Sequence, residues 1–196
     1  MPKKHKTFIK FLEPYEEGLS KKGLIVTISG FSGAGKTTTA RMIARKLRFK
    51  YFYPPTFRQQ AAEEQEALSD VLADAEEKEF YDIDINTLRH ALKGRMVVDS
   101  RLSAWVLGRW ARIRIFLKCP PETRAKRVAE RTGTNLKNAL AEIMETDRFE
   151  RAKWRRLYGI DYLDEKVYTH IIDNGCSLKE LEKSIEKIIR PLKNKK

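Results

Sequence analysis

Residues Gly30-Phe31-Ser32-Gly33-Ala34-Gly35-Lys36-Thr37 match the spacing G-x-x-x-x-G-K-[ST]. Their setting constrains the chain more than the letters do. The apolar, β-branched run Leu24-Ile25-Val26-Thr27-Ile28-Ser29 stands before them, and a helical pattern through Ala40, Ile43, Ala44 and Leu47 follows. A chain of phosphates carries closely spaced negative charges, and backbone N–H groups reach them all only where side chains stand aside. Glycines allow that approach and the positive φ angles it needs. A helix starting near Lys36 adds its N-terminal partial charge at the same point. Lys36 is therefore expected to reach the β- and γ-phosphates, and the Thr37 hydroxyl to sit directly on Mg²⁺. The loop residues Gly30, Phe31, Ser32, Gly33, Ala34 and Gly35, with Thr38, complete the expected triphosphate cradle. The alternative, a glycine turn with an exposed lysine, explains neither the strand before it nor the helix after it.

Around this loop the pattern alternates. Further apolar strand candidates fall at 96–98, 113–117 and 168–172, separated by helix-like stretches at 87–92, 121–131, 135–157 and 178–189. Strands alternating with helices predict an α/β domain with a mainly parallel sheet. With 196 residues, one domain is expected, spanning 23–192, preceded by an N-terminal extension at 1–22 and followed by a basic tail at 193–196. A short helix around Phe8 to Leu12, ended by Pro14 and Gly18, is expected in the extension. No apolar run approaches the roughly 20 residues a bilayer span needs, and no signal peptide is legible, so a cytoplasmic protein is expected. Cys119 and Cys176 lie too far apart to imply a disulfide framework or a zinc cluster.

The formal net charge is +13, and it is unevenly placed. Residues 62–84 hold ten acids and one base, Lys78. The run AAEEQEALSDVLADAEEKEF reads as a solvated helix with an acidic face, or as a cover segment closing over a bound anion. Residues 121–156 hold ten bases against six acids. There Arg124, Arg127 and Arg131 share one helical face, and Arg148, Arg151 and Arg155 repeat the spacing. With a turn at Thr132-Gly133-Thr134, this region predicts a helical hairpin able to close over phosphates. The competing reading is a pair of solvent helices salt-bridged through Glu130, Glu142, Glu145 and Glu150.

Five segments resemble the cytidylate kinase-like P-loop nucleoside monophosphate kinases, in particular their short archaeal type. They are ISGFSGAGKTTTARMIARKL, TFRQQA (56–61), VVDSRLSAW (97–105), IRIFLKCPPETRAKRVAERTG (113–133) and DRFERAKWRRLYGID (147–161). The resemblance runs from about Leu24 to Ile189. It implies a P-loop kinase fold, a five-stranded parallel sheet flanked by helices, with an acceptor-binding arm and a helical lid at about 121–156. It also implies phosphoryl transfer from ATP, with Mg²⁺, to a nucleoside monophosphate, CMP or dCMP first. By the same resemblance Arg58 and Arg101 clamp the acceptor phosphate. Arg127 and Arg131 cover ATP, and Arg148 and Arg151 bridge donor and acceptor phosphates during transfer. Asp99 has two readings, a Mg²⁺ contact through water or a cap on a helix starting near Ser100. Arg58 has the alternative of a surface cation beside Tyr51 and Tyr53, and Arg101 that of simply pairing with an acid such as Asp99.

Three departures all fall on the acceptor side. Tyr53-Pro54-Pro55 stands where the family has a small Ser/Gly turn. Asp84 is followed by Asn86 and Thr87 instead of an Arg-Gln pair that reads the base. Asp99-Ser100 replaces Glu-Gly. A second class also fits the charge: an RNA- or ribosome-associated P-loop ATPase, with Trp105, Trp110 and Trp154 as stacking platforms rather than core or hinge aromatics. The expected partners are thus ATP and a monophosphate, RNA second, with no membrane and a monomeric chain.

Overall fold

The computed structural model describes residues 12–22, 24–55, 57, 60, 63, 71, 74–175 and 177–193. Five strands, β1 (Ile25–Gly30), β2 (Lys50–Phe52), β3 (Met96–Asp99), β4 (Ala111–Lys118) and β5 (His170–Asp173), form one sheet in the order β2-β3-β1-β4-β5. Every pairing is parallel. β1 is central and buried along its whole length, as a continuous apolar run with helices on both faces requires. The chain leaves β1 to build one side of the sheet, then crosses to build the other. This reversal opens a crevice at the carboxyl end of β1, where doubly wound sheets bind ligands. The register sets Ile28 beside Asp99 and Gly30 beside Leu117, so the ends of β1, β3 and β4 meet there.

Helices α1 (Glu16–Lys22), α2 (Lys36–Leu47), α3 (Glu77–Ala91), α4 (Ser103–Val106), α5 (Pro121–Thr132), α6 (Leu136–Tyr158) and α7 (Leu178–Lys193) surround the sheet. One face packs Val26, Ile28, Ile115 and Leu117 against Ile43 and Leu47 of α2 and against Leu181, Ile185 and Ile189 of α7. The other packs Ile25, Met96, Val98 and Phe116 with Leu88 of α3 and with Trp154 and Tyr158 of α6. Strand alternation thus feeds two cores. The hairpin is present: α5 ends on Gly133 at φ 71° and α6 begins after Asn135, whose side chain caps Asn138 N–H at 2.8 Å. Ala125, Val128, Ala139 and Ile143 zip its two helices together. No helix among the described residues is long and apolar enough to cross a membrane.

Some expectations shift. β2 has no alternation to reveal it, being three residues at a sheet edge, one exposed and two half-buried. α3 starts at Glu77, well before residue 87, because Glu76 and Glu79 form a reciprocal capping box there. This break at Ala75 and Glu76 also divides the acidic stretch, most of whose earlier residues lie outside the described ones. The helix expected around Phe8 to Leu12 lies almost wholly outside them too. Gly18 does not end a helix, since it lies inside α1, while Pro14 enters a 3₁₀ turn at its first positions, directly after the helical Leu12. A Cβ on Gly18 would lie 2.6 Å from Leu92 Cδ2, so the glycine serves close packing.

Leu19 of α1 is 1% exposed and belongs to the same core as Ile25. Leu19→Ala is expected to cost about 2–4 kcal/mol of unfolding free energy in urea titration. A loss under about 0.5 kcal/mol, the scale of surface changes, would instead mark residues 16–22 as an appendage.

Candidate functional site

The glycine-rich loop is clamped from two sides. Gly33 and Gly35 hold φ of 74° and 88°. A Cβ on Gly35 would lie 2.4 Å from Asn174 Nδ2, and one on Gly33 would lie 2.8 Å from the Arg124 carbonyl. Only glycine fits both the backbone and the space. Asn174, buried just beyond β5, donates to the Ala34 carbonyl at 2.7 Å. Arg124 donates to the Ser32 carbonyl at 3.1 Å, and its guanidinium lies 4.7 Å from the Phe31 ring centroid. The Phe31 ring also packs edge-on to Phe116 and Tyr162, so its side chain belongs to the scaffold. The Lys36 ammonium donates to the Phe31 carbonyl at 2.9 Å, curling back over the loop.

Thr37 donates to Asp99 Oδ2 at 2.7 Å, and the Tyr51 hydroxyl donates to the same oxygen at 3.1 Å. Burial first, and then the charge of Asp99, push the Tyr51 phenol up to about 12. Asp99 is fully buried, and its Oδ1 has no hydrogen-bond partner among the described residues. A buried carboxylate oxygen without a donor is costly; it fits a cation arriving beside Thr37. The capping role for Asp99 is corrected: α4 starts at Ser103, with Leu102 at its N-cap position and no side-chain cap.

A cavity of about 600 Å³ opens on this loop. Gly33, Gly35, Lys36, Thr37, Arg127 and Arg131 border one end, together with Ser32 and Thr38. Tyr53, Pro54, Phe57, Phe80, Ile83, Leu102 and Trp154 border the other, with the buried carboxyl of Asp84; Glu130 and Glu150 also border the cavity. Asp84 is buried and accepts from the Tyr158 hydroxyl at 2.6 Å. Burial pushes it up to about 7, against the downward pull of that hydroxyl.

The two arginine stripes have different fates. Arg124 is buried under the loop, while Arg127 and Arg131 line the cavity; Arg127 also donates to the Asn174 carbonyl at 3.0 Å. Neither Arg148 nor Arg151 borders the cavity. Arg148 is exposed, and Arg151 pairs with Asp161 at 2.6 Å alongside Arg155. Helical phase is the cause, because the inward stripe of α6 is Asp147, Glu150, Trp154 and Tyr158. Arg101 lines the cavity but pairs with Asp147 at 3.0 Å and with Glu150, not with Asp99. Burial opposes its charge, yet Glu150 and Asp147 hold it above its ordinary value. Arg58 lies outside the described residues. Of the tryptophans, Trp154 is buried in the cavity wall, Trp105 packs on the core, and Trp110 donates to Ser20 at 3.3 Å.

Sequence reasoning missed Asn174, Tyr51, Glu150 and Asp147 as site residues, and treated Asp84 only as a departure. Asn174 had one signal, its place directly after a predicted strand. The others reach the site through contacts that no local pattern encodes.

The model of the cytidylate kinase-like family matches residues 25–175. Cytidylate kinase of Aeropyrum pernix is 36% identical over 151 residues, covering 76% of this chain and 88% of that protein. Cytidylate kinase of Pyrobaculum arsenaticum is 35% identical over 155 residues, covering 78% and 84%. Among solved structures, a gluconokinase from Sinorhizobium meliloti superposes with a TM-score of 0.59 at 18% identity, over 87% of this chain and 93% of that one. Shikimate kinase from Acinetobacter baumannii superposes at 0.56 with 17% identity, over 88% and 96%. These two show the P-loop kinase fold. The family match covers the loop, the cavity walls and the hairpin alike, and by it the chain belongs to the cytidylate kinase-like family.

Proposed function

We propose that the chain transfers the γ-phosphoryl group of ATP to a nucleoside monophosphate, CMP or dCMP ahead of other acceptors. One observation carries this reading. The cavity has a cationic, glycine-rich end and an apolar end that holds the buried carboxyl of Asp84. Those ends match a triphosphate and a nucleobase. An ionised acceptor phosphate attacks the γ-phosphorus in line; the bond to the β-phosphate oxygen breaks, leaving ADP. The acceptor oxygen is itself the nucleophile, so no general base is needed. Lys36, Arg127 and Arg131 offset charge on the donor side, and Arg101 faces the acceptor phosphate. Arg58 remains a second acceptor-side cation in this proposal. Thr37 Oγ1 and the Asp99 carboxylate fit Mg²⁺, the carboxylate directly or through water. When bound, the ion supplies neutralisation of the β- and γ-phosphate oxygens. Every group named lies on one chain, so a monomer suffices, and a cytoplasmic reaction on free nucleotides is part of this reading.

A coupled ADP assay with MgATP and a panel of CMP, dCMP, UMP, AMP and GMP tests the reading. The expected result is turnover with one pyrimidine pair, with kcat lowered about 10²–10³-fold in Lys36→Ala. ADP formation that ignores every monophosphate but rises with RNA would overturn it. Arg127→Ala and Arg131→Ala are each expected to lose about 10²-fold in kcat, while Arg148→Ala and Arg151→Ala lose less than about tenfold. Comparable losses in all four would show that α6 turns its outer stripe inward during transfer.

Asp84 serves in this proposal as the reader of the cytosine amino group, whose hydrogen bond to an ionised carboxylate is stronger than to a neutral carboxyl. Below a pH of about 7 the carboxyl takes up a proton and the charge-assisted contact is lost. KM for CMP is then expected to rise about tenfold from pH 8 to pH 6, with KM for ATP steady. Asp84→Asn should remove this step and leave only the effect of CMP's own second ionisation near about 6. A KM profile unchanged by Asp84→Asn would remove Asp84 from base recognition.

A further inference from the structure

Lys153 is only 7% exposed, which is unusual for a residue whose charge is expensive to bury. It sits on α6 beside Trp154, yet it does not border the cavity. Its ammonium donates to the Ala75 carbonyl at 3.2 Å and lies 4.5 Å from the centre of the Phe80 ring. A second ring, Phe149, is 6.0 Å away. Burial pushes the ammonium down, with Arg156 acting the same way and Glu77 and Glu79 acting against it. A methionine-like side chain would fill the same space without the desolvation cost. The charge therefore has a task that packing alone does not set.

Both of its partners belong to the start of the acceptor wall. Ala75 immediately precedes Glu76, where the capping box opens α3. Phe80 lies on the first turns of α3 and meets Phe57 at 4.5 Å between ring centroids, and both rings line the apolar end of the cavity. We propose that Lys153 is a positioning residue for the monophosphate: by fastening the Ala75 carbonyl and the Phe80 face to α6, it holds the acceptor wall at its bound spacing before the nucleotide arrives. The inference rests on the substrate reading given above. Cation–π and carbonyl contacts both run through the ammonium, so an uncharged isostere loses both while keeping the volume. No contact joins Lys153 to the glycine-rich loop, so ATP should not sense the change.

The test is steady-state kinetics of wild type, Lys153→Met, Lys153→Arg and Phe80→Leu, with CMP and ATP varied separately. Equilibrium binding of CMP and of a non-hydrolysable ATP analogue is read alongside by calorimetry. Lys153→Met is expected to raise KM and Kd for CMP about tenfold, with KM for ATP within about twofold and kcat within about threefold. Lys153→Arg should restore most of the loss, because a guanidinium reaches both the carbonyl and the ring. Phe80→Leu should weaken CMP similarly, and the double variant should add little to either single change. Thermal unfolding midpoints show whether a variant remains folded at the assay temperature. Equal rises for CMP and ATP, or no change in either, would overturn the proposal. A kcat loss beyond about 100-fold at constant KM would also overturn it, since that pattern belongs to a group touching the transferring phosphoryl. Absence of monophosphate-dependent turnover in the wild type is a separate result: it removes the substrate reading itself.

Discussion

One buried ion pair ties the site together. Arg124 and Asp147, at 2.7 Å with side chains 4% and 12% exposed, join the two helices of the hairpin. Arg124 also holds the glycine-rich loop through the Ser32 carbonyl. Asp147 reaches on to Arg101 at the end of β3. Loop, central sheet and hairpin therefore share a node whose members are out of water. Removing one partner from such a node costs about 3–5 kcal/mol, because the other charge is left stranded. Few arrangements of the hairpin relative to the loop can satisfy both arginines, so the pair fixes position more than it adds stability.

This node changes the meaning of the positive charge. The surplus of +13 reads at first as attraction for any polyanion. Within the cavity wall, however, Arg101 already faces Asp147 and Glu150. Arg127 and Arg131 extend from the neighbouring helix, and Lys36 is tethered to the Phe31 carbonyl. Two carboxylates thus offset the charge of Arg101, where the acceptor phosphate is proposed to arrive. A monophosphate carries less charge than a triphosphate, and a partly offset arginine is matched to it.

How much of this was legible depends on range. The loop, its strand and its helix were readable because every determinant lies within a short window around Gly30 and Lys36. The hairpin was readable because Gly133 and Asn135 punctuate two long helical patterns. Spacing also showed that Arg148, Arg151 and Arg155 share a face, but periodicity gives relative phase only. Which face turns inward is decided by Asp147, Trp154 and Tyr158 finding partners on other elements, and no local pattern carries that. β2 escaped for a similar reason: three residues have too few side chains to show a period. That the sheet has five strands and not four could be anticipated only from the family resemblance. Asp84 and Tyr158 meet across 74 positions of sequence, a separation at which single-chain reading has no purchase.

Both marginal strands of the sheet are short, β5 no longer than the interior β3 and β2 shorter still. β2 has three residues and β5 has four, against six and eight in the interior strands β1 and β4. Each margin therefore offers only a pair or so of unsatisfied backbone groups, and β2 opens with the exposed Lys50. A stub of that length, flanked by charge, is a poor template for another chain to pair with. The long, apolar strands that carry the site can thus be strongly sheet-forming without making the molecule prone to edge-to-edge aggregation.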